Sequence, residues 1–373
     1  MKLLSNNILP RPDASFASIL VAWQKKYGRH SLPWQNTRDA YRIWLSEIML
    51  QQTQVSTVIP YYLRFLEFFP DVYSLAAASN DEVMKYWSGL GYYSRARNLH
   101  KCARIVVNEY GGIFPSDPES LEKLPGIGKS TAAAIAAFSA GAKAAILDGN
   151  VVRVFSRVFG IRDSITEKAG KNRFWELAYE LLPETDIEAY TQGLMDLGAT
   201  ICVRSKPDCV KCPFSHCCVA LSENRISELP VRKIKKASPL KKIIMLVLES
   251  RGQILLEKRP ESGIWGGLYS LPEWETDVNL RKHKDEMASL KTHVSSFGEA
   301  VSVTFLEPFV HVFSHFRLQV TPCVVTLSRR NRAIAPDAYV WYDIMSVNEA
   351  PLPAPVRKLL NDSFRQKSLK LDG

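Results

Sequence analysis

The sequence predicts a mainly α-helical chain that ends in a smaller α+β domain, and three features carry that prediction. Apolar residues from about 13 to 221 recur mainly at helical spacing, broken by Pro and Gly punctuation. A basic stretch between 227 and 242 interrupts the pattern, and beyond 243 the period changes to that of strands. At 373 residues the chain is long enough for two domains, each with its own hydrophobic core.

Within the helical region, about 200 residues long, Tyr41 to Leu50 shows the helical period, and Pro70, Gly111-Gly112 and Pro125-Gly126 mark breaks. Ala132 to Ala137 is a strong helix former, and Val151 to Phe159 reads as an amphipathic helix. The run Ser227 to Lys236, continuing to Lys241-Lys242, reads as a linker; with no aromatic residue interleaved, a solvated tether is favoured over a specific nucleic-acid contact. Ile243 to Leu248 and Ile254 to Leu256 flank Ser250-Arg251-Gly252-Gln253 as a β-hairpin. His311 to Leu327 alternates well enough for one or two strands, and Ala354 to Phe364 suits a closing amphipathic helix. The result is an α+β domain of roughly 130 residues, an ordinary size.

Forty-eight Lys and Arg against 38 Asp and Glu give a net charge of +10, which suits a polyanionic partner because counterion release drives binding to phosphates. Charge alone does not separate nucleic acid from an anionic membrane. A hydrophobic fraction of 46% excludes the composition of a disordered chain. Met1 to Asn7 lacks the apolar core of a signal peptide, and no uncharged apolar run approaches about 20 residues. A cytoplasmic protein without a membrane span is expected.

Five of the seven cysteines crowd between residues 202 and 218, the distribution of a metal site rather than of a secreted disulfide framework. Cys102 and Cys323 read as small buried residues. The pattern Cys202-x6-Cys209-x2-Cys212-x5-Cys218 offers four soft ligands in one loop, and spacing alone fits a zinc knuckle as well as an iron-sulfur cluster. Cys217 competes with Cys218 as the fourth ligand, and His216 reads as a surface histidine. Leu124-Pro125-Gly126-Ile127-Gly128-Lys129-Ser130-Thr131 is a glycine hairpin opening a helix, where Gly126 and Gly128 let main-chain amides approach a phosphate. A single residue between the two glycines is too short for a nucleotide-triphosphate loop.

Two carboxylates complete the candidate set. Glu47 follows Trp44 by three residues and Ile43 by four, so it borders an apolar stripe where desolvation would keep it protonated and fit to act as a general acid. Asp148 directly precedes the helix from Val151, where amide dipoles would favour its ionised form and fit it to stabilise positive charge. Taken alone, a helix-start Asp is more often a cap and a helical Glu more often faces water. Pattern alone does not bring the two together.

Together with Leu32-Pro33-Trp34, Trp44 to Val55, Gly89 to Leu99 and Leu147-Asp148-Gly149-Asn150-Val151, these motifs resemble the adenine-specific, MutY-type branch of the helix-hairpin-helix DNA glycosylases, related to endonuclease III. The resemblance spans almost the whole chain. It implies a catalytic region over 1–226, with a six-helix barrel over about 35–145 and a cluster domain from about 1–34 and 146–226. After a linker at 227–242, it implies a Nudix-like lesion-reading domain over 243–373. It further implies one 4Fe-4S cluster on Cys202, Cys209, Cys212 and Cys218, with Cys217 a bystander, and a monomer acting on double-stranded DNA.

The implied substrate is adenine opposite 8-oxoguanine or guanine, flipped from the duplex. By the same resemblance Glu47 protonates adenine at N7, Asp148 stabilises an oxocarbenium-like sugar, and Asn150 supports it, the logic of glycoside hydrolysis. Gln52 and Tyr92 are expected to enter the helix around the lesion pair, Gly126, Gly128 and Ser130 to meet the backbone, and Arg204 and Lys206 to meet phosphates. In the C-terminal domain, Arg259 to Tyr269 fits the Nudix-like module and Phe313, Ser314 and His315 match its element against 8-oxoguanine. Residues 271 to 300 contain no Arg-Glu-x-x-Glu-Glu cluster, so nucleotide hydrolysis is not expected. Ser130 stands where lyase-active relatives carry lysine, which points to base removal without strand cleavage. The alternatives are an endonuclease III-like pyrimidine glycosylase with lyase activity, and a catalytically silent lesion-binding protein.

Overall fold

In the computed structural model, which describes residues 15–231, 238–274, 283–313, 315–331 and 338–368, contacts divide the chain into two units. The described parts of Met1–Ala77 and Asn98–Ile234 form one, and those of Ala78–Arg97 and Lys235–Gly373 the other. The short stretch 78–97, expected inside the helical barrel, therefore groups with the C-terminal sheet.

The first unit is helical: α1 (Ser15–Tyr27), α2 (Ala40–Leu50), α3 (Val55–Phe68) and α4 (Val72–Ala77) precede the excursion into the second unit. That excursion carries α5 (Asn80–Trp87) and the start of α6 (Ser94–Tyr110). The first unit then continues with α7 (Pro118–Glu122), α8 (Lys129–Ala140), α9 (Gly149–Val158), α10 (Lys168–Glu180), α11 (Ile187–Asp196) with its π turn Leu197–Ile201, and α12 (Val219–Ser222). Side chains set the boundaries. Asp39 caps α2 by accepting from the amides of Tyr41 and Arg42, and Ser79 and Glu82 form a reciprocal capping box at α5.

One core joins distant parts of this unit. Phe16 and Leu20 of α1 pack with Val151, Val154 and Phe155 of α9, Phe174 of α10, Tyr190 and Leu194 of α11, and Phe214 of the cysteine loop. Phe16 stacks on Phe214 at 4.4 Å and meets Phe155 edge-on, so α1 anchors both α9 and that loop. Truncating one such core side chain is expected to cost about 3–5 kcal/mol for Phe to Ala.

In the second unit, β1 (Leu240–Ser250) and β2 (Gln253–Lys258) pair antiparallel, with Ser250 opposite Gln253. Arg251 and Gly252 between them both have positive φ, the geometry that a two-residue hairpin turn demands. Next come β3 (Tyr269–Ser270), β4 (Glu273–Trp274), α13 (His283–Ser295), β5 (Gly298–Phe305), β6 (Phe309–Val312), β7 (Arg317–Arg330), β8 (Tyr339–Asp343) and, past a 3-10 turn, α14 (Ala354–Ser368). All eight described strands join one sheet whose path runs β3-β2-β1-β7-β5, with β1 and β7 parallel from Leu240 opposite Arg317 to Glu249 opposite Thr326. Leu290 and Val294 of α13 and Phe297 cover one face above Leu246, Leu248, Cys323 and Val325.

The expected tether at 227–242 is shorter at both ends. Leu229 is buried and its carbonyl accepts from Arg157, while Leu240 to Lys242 already pair with Arg317 to Gln319. Residues 232–237 lie outside the described residues.

Candidate active site and DNA-reading loops

Helix α2 buries Tyr41, Trp44, Leu45, Ile48 and Met49, which leaves Glu47 half-buried on its remaining face. Glu47 lines a cavity of about 780 Å³ within the first unit, with Trp34, Leu50, Arg29 and Gln192 among its other walls. Burial, reinforced by nearby Asp148, pushes the Glu47 carboxyl up to about 8. At neutral pH Glu47 therefore carries its proton.

Asp148 is the N-cap of α9. One of its oxygens accepts from the amides of Asn150 at 2.9 Å and Val151 at 2.8 Å, and the other from the Asn150 carboxamide at 3.2 Å. Burial raises the Asp148 pKa, while the Val151 and Asn150 amides, Arg153 and the Asn150 side chain pull it down. The helix-start amides favour ionisation as the sequence suggested, but desolvation outweighs them. Amide donors thus hold the Asp148 carboxyl, while desolvation is the largest influence on both carboxyls.

Arg153 and Asp196, which sequence reading did not single out, brace the surroundings of these carboxyls, and Ser130 and Lys129 take up defined places beside them. Arg153 donates to the Asn150 carboxamide oxygen at 2.7 Å, to the Gly198 carbonyl at 2.6 Å and to the Cys202 carbonyl at 2.7 Å. Asp196 is fully buried beneath the cavity wall, where it accepts from the Arg29 amide and guanidinium and from the Gln192 carboxamide. The Ser130 hydroxyl accepts from the Leu147 amide at 3.0 Å, tying the start of α8 to the residue before Asp148. The neighbouring Lys129 ammonium sits 4.3 Å over Trp175 and 5.1 Å over Tyr179, held by those rings.

Cys202, Cys209, Cys212 and Cys218 line one small cavity whose other walls include Val154, Val158, Leu197, Ile201 and Leu221. Arg157, only 1% exposed, directs its guanidinium at Cys202 Sγ at 3.4 Å and also donates to the carbonyls of Val203, Arg204 and Leu229. Cys217 points elsewhere, its thiol donating to the Phe214 carbonyl at 3.6 Å, and His216 is exposed. Among the described residues no three His, Cys, Asp or Glu side chains converge on a single-ion site.

The candidate DNA contacts of the first unit lie on exposed turns. Gln52 has φ +58° just past α2, Lys206 has φ +54°, and Arg204 is exposed beside it. Gly126 has φ +81°, and a Cβ there would come 2.9 Å from the Asn98 side chain, so glycine is required. Gly128 differs from expectation: its φ is −94° and a Cβ would meet nothing within 4 Å, so backbone geometry does not demand glycine there.

In the second unit Tyr92 stands at φ +48° and 47% exposed, with the Arg95 guanidinium 5.3 Å from its ring. Phe313 stacks on Phe316 at 4.4 Å and lies 5.7 Å from Trp265 and 4.6 Å from His311. His315 is exposed beside Phe316; Ser314 lies outside the described residues. Among the described residues no helix is long and apolar enough to cross a membrane.

Residues 45–180 match the HhH-GPD superfamily of base excision DNA repair proteins, and residues 243–362 match the NUDIX domain. The adenine DNA glycosylase of Buchnera aphidicola subsp. Schizaphis graminum is 36% identical over 350 residues, covering 92% of this chain and 97% of its own. The adenine DNA glycosylase of Mus musculus is 33% identical, covering 95% of this chain and 79% of its own. Among solved structures, a thermostable thymine-DNA glycosylase superposes with a TM-score of 0.51 at 34% identity, covering 56% of this chain and 96% of its own.

Proposed function

The chain belongs to the adenine DNA glycosylases of the helix-hairpin-helix base excision repair superfamily, and on that premise we propose that it hydrolyses the N-glycosidic bond of adenine paired with 8-oxoguanine or guanine, without cutting the strand. One observation carries the reading: Glu47, raised by burial and by the charge of amide-held Asp148, lines a cavity large enough for a flipped base.

In this reading Glu47 delivers its proton to adenine N7 as the bond from C1′ to N9 breaks, and the bonding electrons leave with the base. Ionised Asp148 faces the positive charge that develops on the sugar, kept in place by Asn150 and the two amides. Water then adds to C1′ and its proton returns to Glu47. Gln52 and Tyr92 enter the duplex, Gly126, Gly128 and the start of α8 carrying Ser130 approach its backbone, and Arg204 and Lys206 meet phosphates. Residues 1–226 supply the chemistry and 243–373 read the opposite base through Phe313, Ser314 and His315. The protein acts as a cytoplasmic monomer.

The cysteine site fits a 4Fe-4S cluster. Four thiols face one mostly apolar cavity, and the buried Arg157 cation matches the negative charge of a thiolate-ligated cluster. Cys202, Cys209, Cys212 and Cys218 would hold it. Bound there, it would supply the metal-thiolate bonds that keep this loop closed.

Single-turnover incubation of cluster-loaded protein with duplex containing adenine opposite 8-oxoguanine should leave an alkali-labile site; none after prolonged incubation would sink the reading. The competing lyase reading predicts abundant covalent adduct on borohydride trapping. The Ser130 hydroxyl bound to Leu147, and Lys129 held on aromatic faces, support a blank result.

A further inference from the structure

Between the Tyr92 loop and Phe313, a line of contacts runs within the second unit. Trp87 Nε1 and the Arg95 guanidinium donate to the Gly91 carbonyl at 3.1 and 3.2 Å, fixing the loop from within. The first turn of α6 follows at once, with the Arg95 amide bonded to the Tyr92 carbonyl and the Arg97 amide to the Tyr93 carbonyl. Arg97 then reaches out of the turn, and its Nη1 donates to the Gly266 carbonyl at 2.6 Å.

Gly266 is packed closely against the backbone of 260–261. A Cβ there would lie 2.5 Å from the Glu261 carbonyl oxygen and 2.9 Å from that of Pro260, so the backbone is already in contact on that side. Its neighbour Trp265 is 6% exposed at φ +55°, with its ring 5.7 Å from Phe313 and 6.1 Å from His311. Other contacts tie residues 78–97 to the rest of this unit. Ser88 Oγ donates to the Leu352 carbonyl at 2.7 Å, Arg357 donates to Ser88 Oγ at 3.1 Å, and Lys258 pairs with Asp81.

We propose that Arg97, through Gly266 and Trp265, is a positioning residue that couples the Tyr92 loop to the loop carrying Phe313 and His315, so that engagement of the base opposite adenine sets the placement of Tyr92. The coupling rests on the reading of those two loops given above. A displacement of Phe313 is passed to Trp265 by ring contact and to Arg97 by a charge-assisted hydrogen bond, both stiff at this packing density. Arg97 touches no substrate in this scheme; it makes the two loops answer to one another.

A double-mutant cycle on the full chain tests it, using Arg97→Met, Phe313→Ala and the double variant. Single-turnover adenine release is measured on duplexes with adenine opposite 8-oxoguanine and opposite guanine. Each single variant is expected to lower the preference for 8-oxoguanine, and the double to fall no further than Phe313→Ala alone, a departure from additivity of about 5-fold or more. Arg97→Lys, which keeps a donor for the Gly266 carbonyl, should recover part of the preference. Additive losses, or an Arg97→Met loss equal on both duplexes, overturn the coupling while leaving the loop reading intact. A Phe313→Ala protein with unchanged preference overturns the loop reading and the coupling with it.

Discussion

The cavity of the first unit and the aromatic loop of the second are built from opposite materials. In the first unit, charge is fixed by directed donors: Asp148 by two amides and a carboxamide, Asp196 by Arg29 and Gln192, both of which line the cavity. Around Phe313 flat rings rest on one another, Phe316, Trp265 and His311 within about 6 Å, the range in which aromatic pairs attract. Catalysis requires dipoles that are already aimed when charge develops, whereas recognition of a base requires broad apolar plates. The first region should therefore respond to protons, and the second to the identity of the mispair.

The largest break in that contrast comes from Glu47→Gln, which removes the acid. Single-turnover release should fall roughly 100- to 10,000-fold, with duplex affinity unchanged; unimpaired turnover would take Glu47 out of the mechanism. Second in size is pH. Because Glu47 must be protonated and sits at about 8, release should decline about tenfold per unit above that pH, measured as a single-turnover rate profile.

Stability carries the same signature. The folded carboxyl holds a proton that the unfolded chain releases from its ordinary value of 4.5, so stability falls as pH rises between there and about 8. In Glu47→Gln this contribution is absent, and thermal melts across that window should show a shallower slope.

A smaller effect is expected from Phe313→Ala, which should lower the preference for 8-oxoguanine over guanine by roughly 5- to 150-fold, on the order of 1–3 kcal/mol of stacking, without shifting the pH profile. A shifted profile would erase the distinction between the two regions. Smallest is Lys206→Ala on its exposed turn, which should weaken binding to all duplexes alike and reduce the slope of log affinity against log salt by about 1.

Features with a local cause were legible in the sequence. The hairpin at Arg251-Gly252 follows from the positive φ its turn demands, and the cap at Asp148 follows from its place before Val151. Residues whose meaning depends on distant partners were not. Arg153 and Arg157 stand one turn apart on an amphipathic helix and look like its wet face, yet one grips Asn150 and Cys202 and the other is buried beneath the cysteine loop. Asp81 and Arg97 meet their partners, Lys258 and the Gly266 carbonyl, only on folding. The influence of Asp148 on Glu47 belongs to the same class, because about 100 residues separate them and no period in the chain encodes that influence.

The buried guanidinium of Arg157 also imposes an order on events during synthesis. Its partners come from residues 202, 203, 204 and 229, so its donors are fully matched only after the chain has been made through Leu229. A chain emerging from the ribosome at about 5–20 residues per second brings all four cysteines out before the Leu229 carbonyl is made. The Arg157 Nε–H is thus matched by a backbone carbonyl beyond the last cysteine, and truncation just short of it would leave every ligand present but strip a partner from a buried cation.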